Sequence, residues 1–114
     1  MLFSSTFSYC VSLEHIKLPS TLTYIPAFMF TDCSKLTSID IPNNVECIGD
    51  NVFRNCHSLT SLTIPAKVKR IGRWAFEDCT ALKSIHFKGK KFKDIVNMAH
   101  YPWALYNIRD IIVF

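Results

Sequence analysis

Five cysteines and four histidines are the residues of this 114-residue chain with the most accessible chemistry. Cys10, Cys33, Cys56 and Cys79 stand 23 residues apart, Cys47 falls outside that series, and His15, His57, His86 and His100 are scattered. Thiolates and imidazoles hold zinc when they converge from short spacings of the C-x2-C kind. An interval of 23 offers no such cluster, so neither a metal nor a cofactor is expected. No histidine pairs with a serine or cysteine in a nucleophile motif, and three glycines are too few for a phosphate-cradling loop. The chain therefore presents no catalytic residues and no small-molecule substrate site.

The interval is the stronger signal, because most other positions keep it too. Phe7, Phe30, Phe53 and Phe76 form one column, Leu13, Leu36, Leu59 and Leu82 another, and Ile16, Ile39, Leu62 and Ile85 a third. Leu18, Ile41, Ile64 and Phe87 follow in phase, with Pro19, Pro42 and Pro65 directly after the first three. Such a period marks an array of small units that bury an apolar side only by stacking. In "LTSLTIP" the apolar residues alternate, which is the period of a half-buried strand, and proline ends it because it cannot donate to a ladder. Val68, Ile71 and Phe76 come inward from the opposite wall, with Gly49 and Gly72 placed for tight backbone turns. Stacked parallel strands on one face, with short turns or strands opposite, are the expected architecture.

That geometry also bears on the thiols. Adjacent strands lie about 4.8 Å apart, and equivalent side chains project the same way, so column sulfurs sit near that spacing rather than at the bonding distance of about 2 Å. The four column cysteines read as buried small hydrophobes with a weak donor. Cys47, in the column of Tyr24 and Arg70, reads as outward and the most reactive of the five.

The run from Phe30 through Phe76, with its phenylalanine, cysteine, leucine, "I-x-I-P" and "I-G" columns, resembles the 23-residue leucine-rich repeats of BspA-like (Treponema pallidum-type) proteins. The resemblance covers about residues 1–90 and implies a leucine-rich-repeat solenoid in a family of mostly bacterial or protozoan surface proteins that bind host proteins or other cells. It implies no enzyme. Residues 1–7 align with the second half of a coil, so the N-terminal coil is expected to be open and able to stack on another copy or partner. Residues 91–114 read as a C-terminal cap of the same domain: "FKDIVNMA" places Phe92, Ile95, Val96 and Ala99 on one helical face, Tyr101, Pro102, Trp103 and Tyr106 supply bulk, and "IRDIIVF" reads as a last strand.

Two surfaces remain for function. Columns His15, Ser38, Ser61, Ser84 and Lys17, Asp40, Thr63, His86 cover the outer face of the sheet, short and polar, without the Trp, Tyr or Arg that dominate binding hot spots. Charge is more telling. Between Lys67 and Lys93 nine basic residues face only Glu77 and Asp78, a net of +7, leaving −3 for the rest of a chain whose total is +4. Stacking in register sets Lys67 near Lys90 and Arg70 near Lys93, a basic flank completed by Lys69, Arg73 and Lys91. A protein or acidic, polyanionic surface is the expected partner; without a recognised module, nucleic acid is not. Trp74, beside Arg73, offers an aromatic anchor, while its column partner Phe28 points to packing.

Composition places the chain among single globular domains, with 49% hydrophobic residues and no run near the roughly 18 apolar residues that span a bilayer. Its first ten residues, "MLFSSTFSYC", contain neither a basic leader nor a long apolar stretch. Localisation is left open: the resemblance points to the cell surface, and thiols without a disulfide framework fit a reducing compartment.

Overall fold

The computed structural model describes residues 12–106 and 108–114. The readings on Phe7 and Cys10, and the open N-terminal coil of residues 1–7, lie outside the described residues. In chain order the elements are β1 (His15–Lys17), β2 (Tyr24–Ile25), β3 (Ser38–Asp40), β4 (Cys47–Ile48), β5 (Ser61–Ile64), β6 (Arg70–Ile71), β7 (Ser84–Phe87), α1 (Phe92–Val96), α2 (Ile108–Ile111) and β8 (Ile112–Val113).

Each repeat contributes one strand to each of two walls, and about four turns stack into a solenoid. On one wall β1 pairs with β3 and β5 with β7, all parallel and all offset by 23 residues, as in Ile16 with Ile39 and Leu62 with Ile85. On the other, β2, β4 and β6 form a parallel sheet at the same offset. Between β3 and β5 the ladder is interrupted, and a groove opens there beside Asp40 and Thr63. Alternation decides which side chains enter: Ile39, Leu62 and Ile85 are buried while Asp40 and Thr63 are exposed. Leu36, Leu59, Val45, Val68, Ile48 and Ile71 close the interior with no exposure at all.

Phenylalanine forms the spine. Phe30 and Phe53 stack with ring centroids 5.9 Å apart, and Phe53 and Phe76 repeat the same spacing. Burying each ring contributes about 2–3 kcal/mol. The turns are hydrogen-bonded from coil to coil as well: the amides of Phe28 and Asn51 donate to the carbonyls of Asp50 and Arg73 one coil on. Polar side chains mostly donate the opposite way. Thr37, Asn44 and Ser58 reach the carbonyls of Glu14, Ser20 and Ser34 in the preceding coil.

Gly49 and Gly72 are explained by neighbours rather than by turn conformation. Neither has a left-handed φ; a Cβ on Gly49 would lie 2.6 Å from the Ala27 nitrogen, and one on Gly72 2.4 Å from that of Asp50. The missing side chain lets successive coils close.

Residues 91–114 behave as one more, longer coil. Its strand β8 pairs with β7 as Ile85 with Ile112, an offset of 27 instead of 23, and α1 takes the place of the short strand opposite. Trp103 continues the spine, edge-on to Phe76 at 6.4 Å and stacked on Phe87 at 5.7 Å, and its carbonyl accepts from the Phe76 amide. Two expectations are corrected here. "IRDIIVF" is not one strand: the adjacent Ile111 and Ile112 are both half-buried, which strand alternation forbids, so a helical turn precedes β8. The helix is also shorter than expected, ending at Val96; Ile95 alone is buried, while Phe92, Val96 and Ala99 are exposed.

Candidate interaction surfaces

The pairing register assembles the sheet-face residues as two columns. His15 lies beside Ser38, Lys17 beside Asp40, Ser61 beside Ser84, and Thr63 beside His86. One contact within them was not foreseen: His15 Nδ1 is 2.6 Å from Ser38 Oγ, and its Nε2 is 3.7 Å from Asp40. The signal was available, since His15 and Ser38 are 23 residues apart. Serine, histidine and aspartate together suggest a nucleophile, but that chemistry needs a buried orienting carboxylate and donors for the developing oxyanion. Here the side chains of His15 and Asp40 are 53% and 68% exposed. The arrangement is a solvated polar lattice. Among the described residues no group of three His, Cys, Asp or Glu could hold a metal ion.

The basic residues divide into four groups. On the rim that follows the strands, Lys67 Nζ donates to Asn44 Oδ1 at 3.0 Å and Lys90 Nζ to the Ala66 carbonyl at 2.7 Å. Each lysine thus leans back one coil onto a neutral acceptor, and Lys90 reaches the residue next to Lys67. Lys91 follows on the same rim, where its amide donates to Asp94 at the start of α1. Lys69 is paired instead: its Nζ lies 2.9 Å from Glu46, whose carboxyl is held below its ordinary range by that hydrogen bond and charge. Arg70 extends from β6 beside Cys47, whereas Lys93, its expected column neighbour, lies on α1, to which the β2–β4–β6 ladder is not carried on. Arg73 turns to Trp74, its guanidinium 5.7 Å from the ring centroid, and its amide donates to Asp50.

Among the cysteines, Cys33 and Cys56 are buried. The Cys56 thiol donates to the Phe30 carbonyl at 3.2 Å and that of Cys79 to the Phe53 carbonyl at 2.9 Å, the donor role expected of the column. Burial raises both thiols, Cys79 to about 12. Two details differ from expectation. Cys79 is half-buried, because the longer last coil leaves a cleft beside it, lined by Phe76, Leu82, Leu105 and Ile111. Cys47 is half-buried rather than outward, being covered by Tyr24 and Arg70 on the strands to either side. The back of the solenoid also exposes large aromatics, Tyr24, Phe28 and Trp74.

Stacked 23-residue coils with parallel strands, an aromatic spine and a ladder of buried leucines define a leucine-rich-repeat solenoid. The sequence matches the BspA type leucine rich repeat region in six copies over residues 2–111, and the chain belongs to that family. A leucine-rich repeat protein from Bacteroides ovatus is 38% identical, with a TM-score of 0.71 over 75% of this chain and 22% of its own. A leucine rich cell surface protein from Faecalibacterium prausnitzii is 36% identical, with a TM-score of 0.70 over 72% of this chain and 21% of its own. The leucine rich repeat protein of T. pallidum is 30% identical, with a TM-score of 0.56 over 74% of this chain and 50% of its own. The chain thus spans about a fifth of the length of the first two and half of the third. Among curated proteins none matches.

Proposed function

We propose that this chain is a non-catalytic interaction module that engages an acidic protein or another polyanionic partner through its basic rim. One observation carries the reading: Lys67 and Lys90 occupy the same rim on successive coils, each hydrogen-bonded to a neutral acceptor of the coil before it and not to a carboxylate. Lys91 adds to them, with Arg70 and Lys93 on the adjoining wall. Lys69 contributes less, since Glu46 already neutralises it. A fixed row of like charge attracts an anionic partner over roughly a Debye length, about 8 Å at physiological salt. Membership of a repeat family and likeness to a protein named as a cell surface protein support a binding role, in a cell-surface setting. The sheet face is the weaker surface, its side chains short, polar and solvated and without the Trp, Tyr or Arg of binding hot spots.

Heparin resin serves as the polyanion probe and immobilised poly-glutamate as the protein-like one. The chain is expected to be retained at low salt and released as salt rises. Reversal of Lys67, Arg70, Lys90 and Lys93 to Glu should abolish retention while leaving the circular dichroism spectrum unchanged. Unaltered retention of that variant on both supports would refute the reading.

A further inference from the structure

The three equivalent positions Phe28, Asn51 and Trp74 all take a left-handed backbone, with φ of 65°, 58° and 58°. Asparagine accepts that conformation readily; bulky aromatic residues do not. Phe28 and Trp74 are also 42% and 50% exposed. At this column an aromatic side chain is therefore favoured neither by its backbone nor by burial, although Asn51 shows that the turn accepts a residue suited to it. Strained, exposed side chains of this kind gather at ligand sites. Here they flank a shallow depression whose other residues are Asn51, Arg54 and Glu77.

We infer that this depression on the back of the solenoid is a saccharide-binding site, with Phe28 and Trp74 as its two stacking walls and Arg54 and Glu77 as its hydroxyl-binding edge. The walls spring from alternate coils, about 10 Å apart at the spacing of stacked strands. A flat aromatic ligand held between two rings needs only about 7 Å, twice the contact distance, and would sit loosely. A puckered pyranose is thicker, and its partly positive C–H face complements the negative face of an aromatic ring. Its hydroxyls need both donors and acceptors at the edge. Arg54 and Glu77 supply them: both are half-buried, and their single 3.9 Å ion contact leaves further guanidinium donors and carboxylate lone pairs unused. The floor is fixed: the Asn51 amide donates to the Arg73 carbonyl, and its own carbonyl accepts from Thr31 Oγ1 and the Arg54 amide. Arg73, over the Trp74 ring, helps hold that wall. None of this depends on the basic rim.

Trp74 is half exposed and the other tryptophan, Trp103, is 1% exposed, so acrylamide quenching reports mainly on the site. The probes are cellotetraose, maltotetraose and chitotetraose, raised to about 10 mM to reach binding weaker than 1 mM, with a proline decamer as competing occupant. At least one tetrasaccharide should protect the fluorescence, with an affinity indifferent to salt and unchanged in Lys67→Glu/Lys90→Glu. By calorimetry, Phe28→Asn and Trp74→Asn should each weaken that binding tenfold or more; both keep the fold, since Asn51 already occupies the equivalent position. Protection by none of the three sugars, protection by the peptide alone, or full affinity in Trp74→Asn overturns the inference.

Discussion

At the scale of single residues, stacking turns sequence neighbours 23 positions apart into physical neighbours, and this decides which charges and thiols remain available. Lys69 illustrates it. Its place in a basic run was legible, yet its partner Glu46, 23 residues earlier, is recognised only when the run is read across coils rather than along the chain. Cys33 and Cys56 show the reverse case, buried as period alone implied, whereas Cys79 keeps the donor role but is only half-buried. Their burial has a pH consequence. Above an ordinary thiol value near 9 the unfolded chain ionises, while the native state keeps Cys79 protonated to about 12 and Cys56 is raised as well. Stability is therefore complete below pH 9 and falls as pH rises beyond it, by up to about 1.4 kcal/mol per pH unit for each thiol. Thermal melts of the wild type should steepen their decline between about pH 9 and 11, and the Cys56→Ala/Cys79→Ala variant should decline less steeply over the same window. Equal slopes would mean that the thiols do not set this dependence.

Among the elements, the regular coils were legible and the joints between them were not. Alternation placed β3, β5 and β7, because a two-residue period with one apolar side is a local property of the chain. The glycines needed the third dimension: nothing near Gly72 in sequence reveals that Asp50 of the previous coil lies where its Cβ would be. Gly72→Ala should cost about 3 kcal/mol, as overpacking against backbone that cannot yield, measured by urea unfolding. Gly89→Ala, whose Cβ would meet only the Ala66 side chain at 3.3 Å, should cost about 1 kcal/mol through its φ of +67°. A milder effect at Gly72 than at Gly89 would contradict the packing account. The last coil escaped for a different reason. Its longer offset puts Trp103 out of phase with the phenylalanine column, so its place in the spine shows only in the ring contacts. The basic rim was visible as composition, whereas the strained aromatic column at Phe28 and Trp74 becomes visible only with backbone angles.

For the whole molecule, stability is a sum over neighbours, since each coil touches only the coils before and after it. Phe53 lies between Phe30 and Phe76 and serves both interfaces. Phe53→Ala should therefore cost about 3–5 kcal/mol and, in hydrogen exchange, lower protection in the β3 and β5 coils more than around Trp103. Uniform loss along the chain would indicate a single cooperative block instead. The direction of the side-chain hydrogen bonds has a further consequence. Thr37, Asn44, Ser58, Lys67 and Lys90 all donate toward the preceding coil, so a coil has a sense, like a brick with studs on one side and sockets on the other. Unlike faces match and like faces do not. Such an array can gain or lose whole coils without repair at the new joint, provided the cut respects the 23-residue step, and it cannot be mended by inserting a coil upside down.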